Sequence, residues 1–376
     1  MILVYQSTMF PSSDFLFRAV NRLEMVVGTD QRLSVCGFLA RRIRLSREKP
    51  YPVVRVDVPR GYGRKFFWLA RPRLRVVKKW CENRFGERVR VAVFTIPHLA
   101  PLAQDFRDAT RVYYVCDNFK GYDGWGEGFV DRREREMVKY MDHIFCVSNR
   151  IRCRFIEEYG LEEKRIHLSP NATVSEWVPQ SPLKSAADLP PEVKHISRPV
   201  AGIVGTMGEN TDFALLIEVA KRTPWLRWLL VGPMLPIENE EQANSRLRFL
   251  GMQQIRYIGA RPYEYLGRIV RSLDVAIMPY RKREPTFSGS SVRLFDHLAA
   301  GRPIIATRGC AQCEEYAAVL HLVDTPDDMC AVLTRLRDSN FDDGLCEARW
   351  KMSLENTWDR RASEMLARLE QTVKRL

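Results

Sequence analysis

The chain has 376 residues, 45% hydrophobic and 28% charged, which is enough for two domains of ordinary size that each bury a core. No apolar run approaches the roughly 20 residues that a membrane-spanning helix needs, and the first residues lack the order of a secretion signal, so we expect a cytoplasmic protein. The net charge is +13, and the first 100 residues hold 20 Lys and Arg against 7 Asp and Glu. The basic surface therefore belongs to the first part of the chain.

Apolar runs that read as buried parallel strands alternate with polar stretches in the first part of the chain. In chain order they are "MILVYQ", "RLSVCGF", "PVVRVDV", "VRVAVFTI", "RVYYVCD" and "HIFCVS". A helix is predicted at "VDRREREMVKYM", between the last two runs. This pattern indicates an α/β domain over residues 1–178.

The most basic stretch is "RGYGRKFFWLARPRLRVVKKW", residues 60–80, in which Phe66, Phe67 and Trp68 interrupt the cations. This mixture suits the surface of an anionic membrane. We therefore place Arg64, Lys65 and Trp68 on a side of the protein that faces the membrane or the acceptor. A solvated basic helix without a partner is the alternative. Nucleic acid is not expected, because the sequence has no zinc finger, RNP motif or recognition-helix pattern.

A change of composition marks the end of the first domain. Residues 179–199 contain five prolines and little apolar periodicity, as a linker would. The α/β pattern then resumes over residues 200–354, and residues 355–376 read as a closing amphipathic helix. The fold class predicted is α/β, with two doubly wound, Rossmann-like domains that face each other across a cleft.

Nine scattered cysteines, an odd number, favour reduced thiols in the expected compartment. The pair in "CAQC", residues 310–313, has no second pair or histidine cluster in the sequence to accompany it. We assign this motif neither metal binding nor redox chemistry.

An arginine stands at an unfavourable place in "SGSSVRLFDHLAAGRPIIAT", residues 288–307. Arg293 falls in the first turn of a predicted helix, where the dipole is already positive and N–H groups are unpaired. A bound phosphate would accept from these N–H groups, from the hydroxyls of Ser290 and Ser291, and from the guanidinium. The alternative is an ordinary serine cap with Arg293 paired to Asp296.

Several strand-end loops accompany this helix, and ligands of open α/β sheets bind outside the carboxyl ends of the strands. The loops are "VGTMGEN", "VGP", "IGARPYE", "MPYRKREPTFSGSSVR" and "ATRGC". Their convergence indicates one ligand site in the second domain.

The second domain resembles the nucleotide-sugar half of GT-B glycosyltransferases, particularly bacterial polysaccharide enzymes of glycosyltransferase family 4 type, which carry a "(K/R)LFEYLAAGKPVV" helix. In the resemblance, "WDRRASEML" matches the closing segment that crosses back to the first domain, and Arg18 matches an arginine after an early loop. The implied residues are, for the diphosphate, Arg293, Ser290, Ser291, Gly205 and Thr206, and for the base, ribose or sugar, Tyr280 (packed on the base), Val292, Asp296, Gly259 and Arg261.

Many relatives of this type have two glutamates separated by seven residues in this region. The present chain has Ser288 and Asp296 at that spacing, so the first acid is absent. Glu284 lies four residues early and is not assigned the role. The stereochemical outcome of the reaction, inverting or retaining, therefore stays open.

An inverting transfer needs a base for the acceptor hydroxyl. Asp117 ends the strand "RVYYVCD", and "VYYVCDNFKGY" resembles the xanthan-type glucuronosyltransferase family, whose catalytic aspartate ends a similar strand. We take Asp117 as the candidate base. The alternatives are an aspartate that only caps the next turn and, as a different base, His98 in "TIPHLAP".

The resemblance implies transfer of a sugar from a nucleoside diphosphate to a hydroxyl of a lipid-linked or polysaccharide acceptor, at the inner face of the cytoplasmic membrane. No cofactor is expected, and the lack of an Asp-x-Asp pair predicts independence of metal ions. The alternatives are a sugar-nucleotide epimerase or hydrolase of the same fold, or a non-catalytic binding subunit.

Overall fold

The computed structural model describes residues 1–40, 43–46, 48–59, 61, 63–65 and 67–373. The chain forms two compact units: unit 1 consists of Met1–Pro170 and Trp358–Leu376, and unit 2 of Asn171–Thr357. Each unit contains one sheet and its own apolar core. The α/β fold class with two largely parallel sheets is thus confirmed.

Unit 1 contains a sheet of eight strands in the order β3-β4-β2-β1-β5-β6-β7-β8. The strands are β1 Ile2–Tyr5, β2 Val26–Leu33, β3 Ile43–Ser46, β4 Val53–Val58, β5 Val91–Phe94, β6 Thr110–Val115, β7 His143–Cys146 and β8 Ile166–Leu168. Only the pair β3 and β4 is antiparallel among these strands. The strand order reverses between β1 and β5, which is where doubly wound folds bind ligands.

Seven helices are described in unit 1: α1 Pro11–Asn21, α2 Val35–Leu39, α3 Phe67–Phe85, α4 Ala100–Ala103, α5 Glu127–Val138, α6 Asn149–Tyr159 and α14 Trp358–Val373. The last helix of the chain, α14, packs on α1 within this unit. The rings of Phe15 and Trp358 stack with their centroids 5.9 Å apart, and Arg22 forms a 2.8 Å ion pair with Asp359.

The strand predicted at "RLSVCGF" is wrong. Its first residues end β2, and the rest forms the short helix α2. The side chain of Ser34 caps this helix by accepting from the N–H of Gly37 at 3.0 Å. A Cβ at Gly37 would lie 2.1 Å from an oxygen of Asp57, so the backbone there approaches β4 too closely for any other residue. The cap by Ser34 and the close contact of Gly37 therefore favour a helix here, although the apolar run predicted a strand.

Unit 2 contains a fully parallel sheet of six strands in the order β11-β10-β9-β12-β13-β14. The strands are β9 Val200–Val204, β10 Arg227–Val231, β11 Ile255–Tyr257, β12 Val275–Met278, β13 Ile304–Thr307 and β14 His321–Val323. The helices are α7 Phe213–Arg222, α8 Glu240–Leu250, α9 Tyr263–Ser272, α10 Val292–Ala300, α11 Gln312–Glu315, α12 Pro326–Asp338 and α13 Cys346–Glu355. Here the order reverses between β9 and β12.

The proline-rich segment 179–199 lies within unit 2. Val193 is fully buried and packs with the strand residues of one core cluster, and Arg198 forms a 2.7 Å ion pair with Asp274. The contact boundary between the units therefore falls after Pro170, earlier than the composition change in the sequence. Low apolar periodicity reflects irregular backbone here, not a lack of tertiary contacts.

Among the residues described, none of the helices is both long enough and apolar enough to cross a membrane.

Candidate functional site

Three glycine turns at the carboxyl ends of β9, β10 and β11 lie against one another. Gly232 donates its N–H to the carbonyl oxygen of Gly259 at 3.0 Å, and a Cβ at Gly232 would lie 2.1 Å from the carbonyl oxygen of Gly205. Gly205 and Gly232 have φ values of 119° and 140°, which side chains rarely permit. The turns thus form a compact backbone floor at the switch point of the sheet.

Arg293 lies on this floor and is 9% exposed. Its Nη2 donates to the carbonyl oxygen of Thr206 at 2.9 Å, and its guanidinium carbon lies 5.2 Å from the ring centroid of Tyr280. Nη1 is buried and has no hydrogen-bond partner in the part of the chain that the structure describes. A buried guanidinium N–H without an acceptor is costly, so this atom indicates a place for an anionic ligand.

The two serines before α10 are held by the protein itself. Ser290 Oγ donates to Oε1 of Gln312 at 3.1 Å and accepts from the N–H of Asn171 at 3.0 Å. Ser291 shares a 2.8 Å hydrogen bond with the hydroxyl of Tyr280, and its N–H donates to the same Oε1 at 3.0 Å. Gln312, the third residue of "CAQC", was not among the predicted site residues.

The structure thus brings together the five residues predicted to bind the diphosphate and Tyr280, which was predicted to pack on the base. We call this group the α10 cluster, and it consists of Gly205, Thr206, Tyr280, Ser290, Ser291 and Arg293. Tyr280 supports the guanidinium with one ring face, so its contact with a nucleobase stays a prediction. Val292 begins α10, while Arg261 reaches only the carbonyl oxygen of Ala260, at 3.1 Å.

Asp296 lies one turn further along α10 and is 8% exposed. Its Oδ1 accepts from the hydroxyls of Thr173 and Tyr263, both at 2.9 Å, and it is not paired to Arg293 as the alternative interpretation required. Burial raises the pKa of Asp296 to about 7, since desolvation outweighs these hydrogen bonds and the charge of Arg293. Asp296 is therefore partly protonated near neutral pH.

This raised pKa makes a testable link to stability. Between the pKa of about 3.9 in the unfolded chain and the pKa of about 7 in the folded one, only the folded protein keeps the Asp296 carboxyl protonated. Its contribution to the free energy of unfolding is therefore full at low pH and is lost as the pH rises through 7. We expect Asp296→Asn, which stays neutral, to gain stability relative to the wild type between pH 5 and pH 8, on the order of 3 kcal/mol. Thermal unfolding at both pH values measures it, with the exposed Asp324→Asn as control. Parallel pH profiles for Asp296→Asn and the wild type would contradict it.

A carboxylate lies beside Ser288, the position at which the first acid is absent. Ser288 is buried, and its Oγ donates to Oε1 of Glu284 at 2.5 Å. The N–H of Ser288 also donates to Oε2, at 3.3 Å. The loop after β12 therefore folds so that the Glu284 carboxylate lies beside the position where sequence spacing shows only a serine, which linear spacing does not reveal.

In unit 1, the candidate base Asp117 follows β6 and its carboxylate has two identified donors. The N–H of Asn118 donates to Oδ1 at 2.8 Å, and the hydroxyl of Tyr122 donates to Oδ2. Burial and the charge of Asp117 raise the pKa of Tyr122, so this phenol keeps its proton and acts as a donor. Tyr122 packs on Phe10 and Trp125 at centroid distances of 6.3 and 5.8 Å.

The alternative base His98 is enclosed by aromatic rings. Its ring lies 4.5 Å from that of Trp125 and 5.0 Å from that of Phe129. Burial, with smaller effects from Arg64 and Arg133, lowers the pKa of His98 to about 4, so the imidazole is neutral at pH 7. Arg64 donates to the carbonyl oxygen of Gly124 at 2.5 Å and lies over Phe129 at 5.6 Å, so it braces this aromatic group.

The remaining residues predicted for the acceptor side are Arg18, Lys65 and Trp68. Arg18 forms a 2.7 Å ion pair with Asp14, which also accepts from Lys49 and Tyr51. Lys65 is exposed, and Trp68 is 69% exposed on α3. Phe66, from the same basic stretch, lies outside the described residues.

Over the residues that the structure describes, no group of three or more His, Cys, Asp and Glu side chains is arranged to hold a metal ion. Independence of metal ions stays a prediction, to be measured by activity with and without a chelator.

Comparison with known proteins agrees with this arrangement of sheets. Residues 198–338 match the family described as "Glycosyl transferases group 1". Sucrose-phosphate synthase from Thermosynechococcus elongatus superposes with a TM-score of 0.71 at 13% identity, over 100% of this chain and 99% of that one. The structure titled "Trehalose-6-phosphate from E. coli bound with UDP-2-fluoro glucose" gives 0.68 at 12% identity, over 98% and 99%.

The chain has the GT-B fold, and its residues 198–338 carry the match to a glycosyltransferase family. The chain is also similar to a curated protein, the "Putative teichuronic acid biosynthesis glycosyltransferase TuaH" of Bacillus subtilis (strain 168), at 21% identity over 239 residues. That alignment spans 61% of this chain and 57% of the relative, little more than half of its length.

Proposed function

We propose that this protein is a glycosyltransferase of bacterial cell-surface glycan synthesis. It moves a glycosyl group from a nucleoside-diphosphate sugar to a hydroxyl of a lipid-linked or polysaccharide acceptor. The observation that carries the proposal is the buried Nη1 of Arg293, which lacks an acceptor at the start of α10. The relatives support the two halves of the reaction. One solved neighbour is named with UDP-2-fluoro glucose bound, and the curated relative is named for teichuronic acid biosynthesis.

The donor half of the reaction needs stabilisation of the leaving diphosphate as its negative charge grows. In our proposal Nη1 of Arg293 donates to a phosphate oxygen, while Nη2 stays fixed on the carbonyl oxygen of Thr206. The free N–H groups of the first turn of α10 and the helix dipole add to the same charge stabilisation. Because Tyr280 and Thr206 hold the guanidinium in place, little rearrangement is needed when the ligand binds.

The acceptor half needs a base, and we assign it to Asp117 of unit 1. A carboxylate within hydrogen-bonding reach of the acceptor hydroxyl takes its proton as that oxygen attacks the anomeric carbon. The hydrogen bonds from the N–H of Asn118 and the hydroxyl of Tyr122 fix the orientation of the carboxylate.

We further propose that α3 carries the surface that contacts an anionic membrane. Its buried face consists of Phe67, Ala70, Leu74, Val77 and Cys81. On the opposite face Trp68 and Val76 are 69% and 48% exposed, next to the exposed cations Arg75 and Lys79. An exposed tryptophan between cations is the composition of helices that lie in a membrane interface.

The pairing of the cations on α3 supports this orientation. Arg71 forms a 2.9 Å ion pair with Asp105, and Lys78 pairs with Asp108. By contrast, Arg75 and Lys79 have no hydrogen-bonded or ion-paired partner within the described parts of the chain. Charges on the outer face therefore stay available for lipid headgroups.

We expect the double variant Arg75→Gln/Lys79→Gln to bind vesicles of phosphatidylglycerol and phosphatidylcholine about 10- to 30-fold more weakly than the wild type, because each cation near the surface contributes ~1 kcal/mol. Vesicle co-sedimentation at two salt concentrations measures the change. The variant Lys221→Gln/Arg248→Gln removes the same charge from unit 2 and should bind as the wild type does. Equal losses in both variants would mean a nonspecific charge effect and no docking face on α3.

A panel of UDP-, GDP- and dTDP-sugars, read by thermal shift, tests the donor assignment, since a ligand that binds the folded state raises its stability. Nucleoside diphosphate released only when a glycan acceptor is added would support transfer. Release without acceptor would indicate the hydrolase alternative, and binding without any turnover would indicate a non-catalytic subunit.

A further inference from the structure

A second buried polar atom at the start of α10 lacks a partner. Gln312 is 2% exposed, and its Nε2 has no hydrogen-bond partner among the residues covered by the structure. Its Oε1, on the same amide group, accepts from Ser290 Oγ and from the N–H of Ser291. Two donors directed at Oε1 fix which branch of the amide is oxygen, so Nε2 presents its two N–H donors beside the serines.

The serines themselves are poorly available to a ligand. Ser290 Oγ already donates to Gln312, and Ser291 Oγ is engaged with the hydroxyl of Tyr280. The N–H of Ser291, which would otherwise face an anion at the helix start, donates to Gln312 as well. Nε2 of Gln312 and Nη1 of Arg293 are buried side-chain donors near the start of α10 that the described protein atoms leave unused.

We infer that Gln312 is a ligand-binding residue of the donor site, and that its Nε2 donates to an oxygen of the donor's diphosphate. This inference rests on the proposed function and adds a residue to it. A purely structural glutamine would need only Oε1, and burying the amide nitrogen without an acceptor carries a free-energy cost. A phosphate oxygen satisfies the nitrogen, and the positive charge of Arg293 and the dipole of α10 favour an anion there.

The motif "CAQC" thereby gains a role other than metal or redox chemistry. Cys310 and Cys313 are 1% and 0% exposed and pack in the apolar cluster around α10. They bury the turn in which Gln312 lies, and Cys313 donates its N–H to the carbonyl oxygen of Cys310 at 3.0 Å. The two thiols thus act as small apolar residues that hold the amide against the serines.

The variant Gln312→Glu separates the ligand role from the structural one. A carboxylate keeps an oxygen for Ser290 and Ser291 but removes the two N–H donors and repels phosphate. At pH 8 we expect UDP and GDP to bind about 10- to 100-fold more weakly than to the wild type, with uridine and guanosine unchanged. Isothermal titration measures these affinities, and Gln253→Glu, on the exposed surface of unit 2, is the control for added charge.

Gln312→Met, which removes both the donor and the acceptor, serves as a second variant should Gln312→Glu fail to fold. It should also weaken binding of UDP or GDP while its unfolding midpoint shows a folded protein. The inference is overturned if either folded variant binds the tighter nucleoside diphosphate within twofold of the wild type. If the wild type binds neither UDP nor GDP, both the proposed function and the inference about Gln312 are wrong. If the wild type binds and the variants bind equally well, only the inference about Gln312 is wrong.

Discussion

Replacement of Arg293 by alanine should reduce the affinity for a nucleoside diphosphate about 10- to 100-fold. Hydrogen bonds to charged groups contribute ~1.5–3 kcal/mol, and each 1.4 kcal/mol changes a dissociation constant tenfold. Nη1 of Arg293 is buried and has no acceptor among the residues that the structure describes, so a bound phosphate gains the full interaction. The thermal shift that the nucleotide produces in the wild type should nearly vanish in the variant at the same ligand concentration.

Two further variants make the result specific. Arg293→Lys keeps the charge but loses the planar guanidinium, which in the wild type can donate to Thr206 and to the ligand at the same time. We therefore expect an affinity between those of the wild type and Arg293→Ala. Arg222→Ala, an exposed arginine of unit 2 paired with Asp327 at 2.6 Å, should bind nucleotide as the wild type does. An unchanged nucleotide shift in folded Arg293→Ala would remove the phosphate site from the start of α10.

The predicted strands of unit 2 follow from the sequence because the apolar runs are short and a glycine or proline follows four of them, those of β9, β10, β11 and β12. The turns after β9, β10 and β11 contain Gly205, Gly232 and Gly259, and these glycines also form the floor of the site. The local sequence pattern that ends these strands therefore also indicates where the candidate site lies. Unit 1 is harder, since the strand at "RLSVCGF" was decided by contacts of Ser34 and Gly37 that no local pattern contains.

Within the α10 cluster, the sequence indicates which residues meet but not how their hydrogen bonds are shared. The prediction gave Ser290 and Ser291 to the ligand, whereas the fold engages them with Gln312 and Tyr280. Likewise Asp296 is bonded to Thr173 and Tyr263, which are distant in sequence, and not to Arg293. Competition among buried donors and acceptors is a property of the three-dimensional neighbourhood, so only the structure reveals it.

The same reasoning applies to Glu284, whose carboxylate reaches Ser288 across a turn. A motif defined by spacing along the chain places the first acid at Ser288 and records it as missing. The loop brings a carboxylate to that serine from four residues away. Sequence spacing therefore predicts well which residues share a helix face, because helix geometry is regular. It predicts poorly which residues meet in an irregular loop.

Replacement of Asp117 by asparagine should lower the rate of transfer about 10²- to 10⁴-fold, the usual contribution of a positioned general base. Asparagine keeps an oxygen that accepts from the N–H of Asn118, so the local fold should persist. The affinity for the donor nucleotide should not change, because the α10 cluster lies in unit 2. Single-turnover rates at saturating donor and acceptor, together with nucleotide affinity, measure both effects.

Two controls distinguish a base from a turn cap. Tyr122→Phe removes one donor to the carboxylate and should leave the Asp117 oxygens in place, with a far smaller loss of rate than Asp117→Asn. Asp108→Asn changes the same charge at an exposed site of unit 1 and should transfer at the wild-type rate. If Asp117→Asn also transferred at that rate, Asp117 would only cap its turn, and His98 would become the residue to replace next.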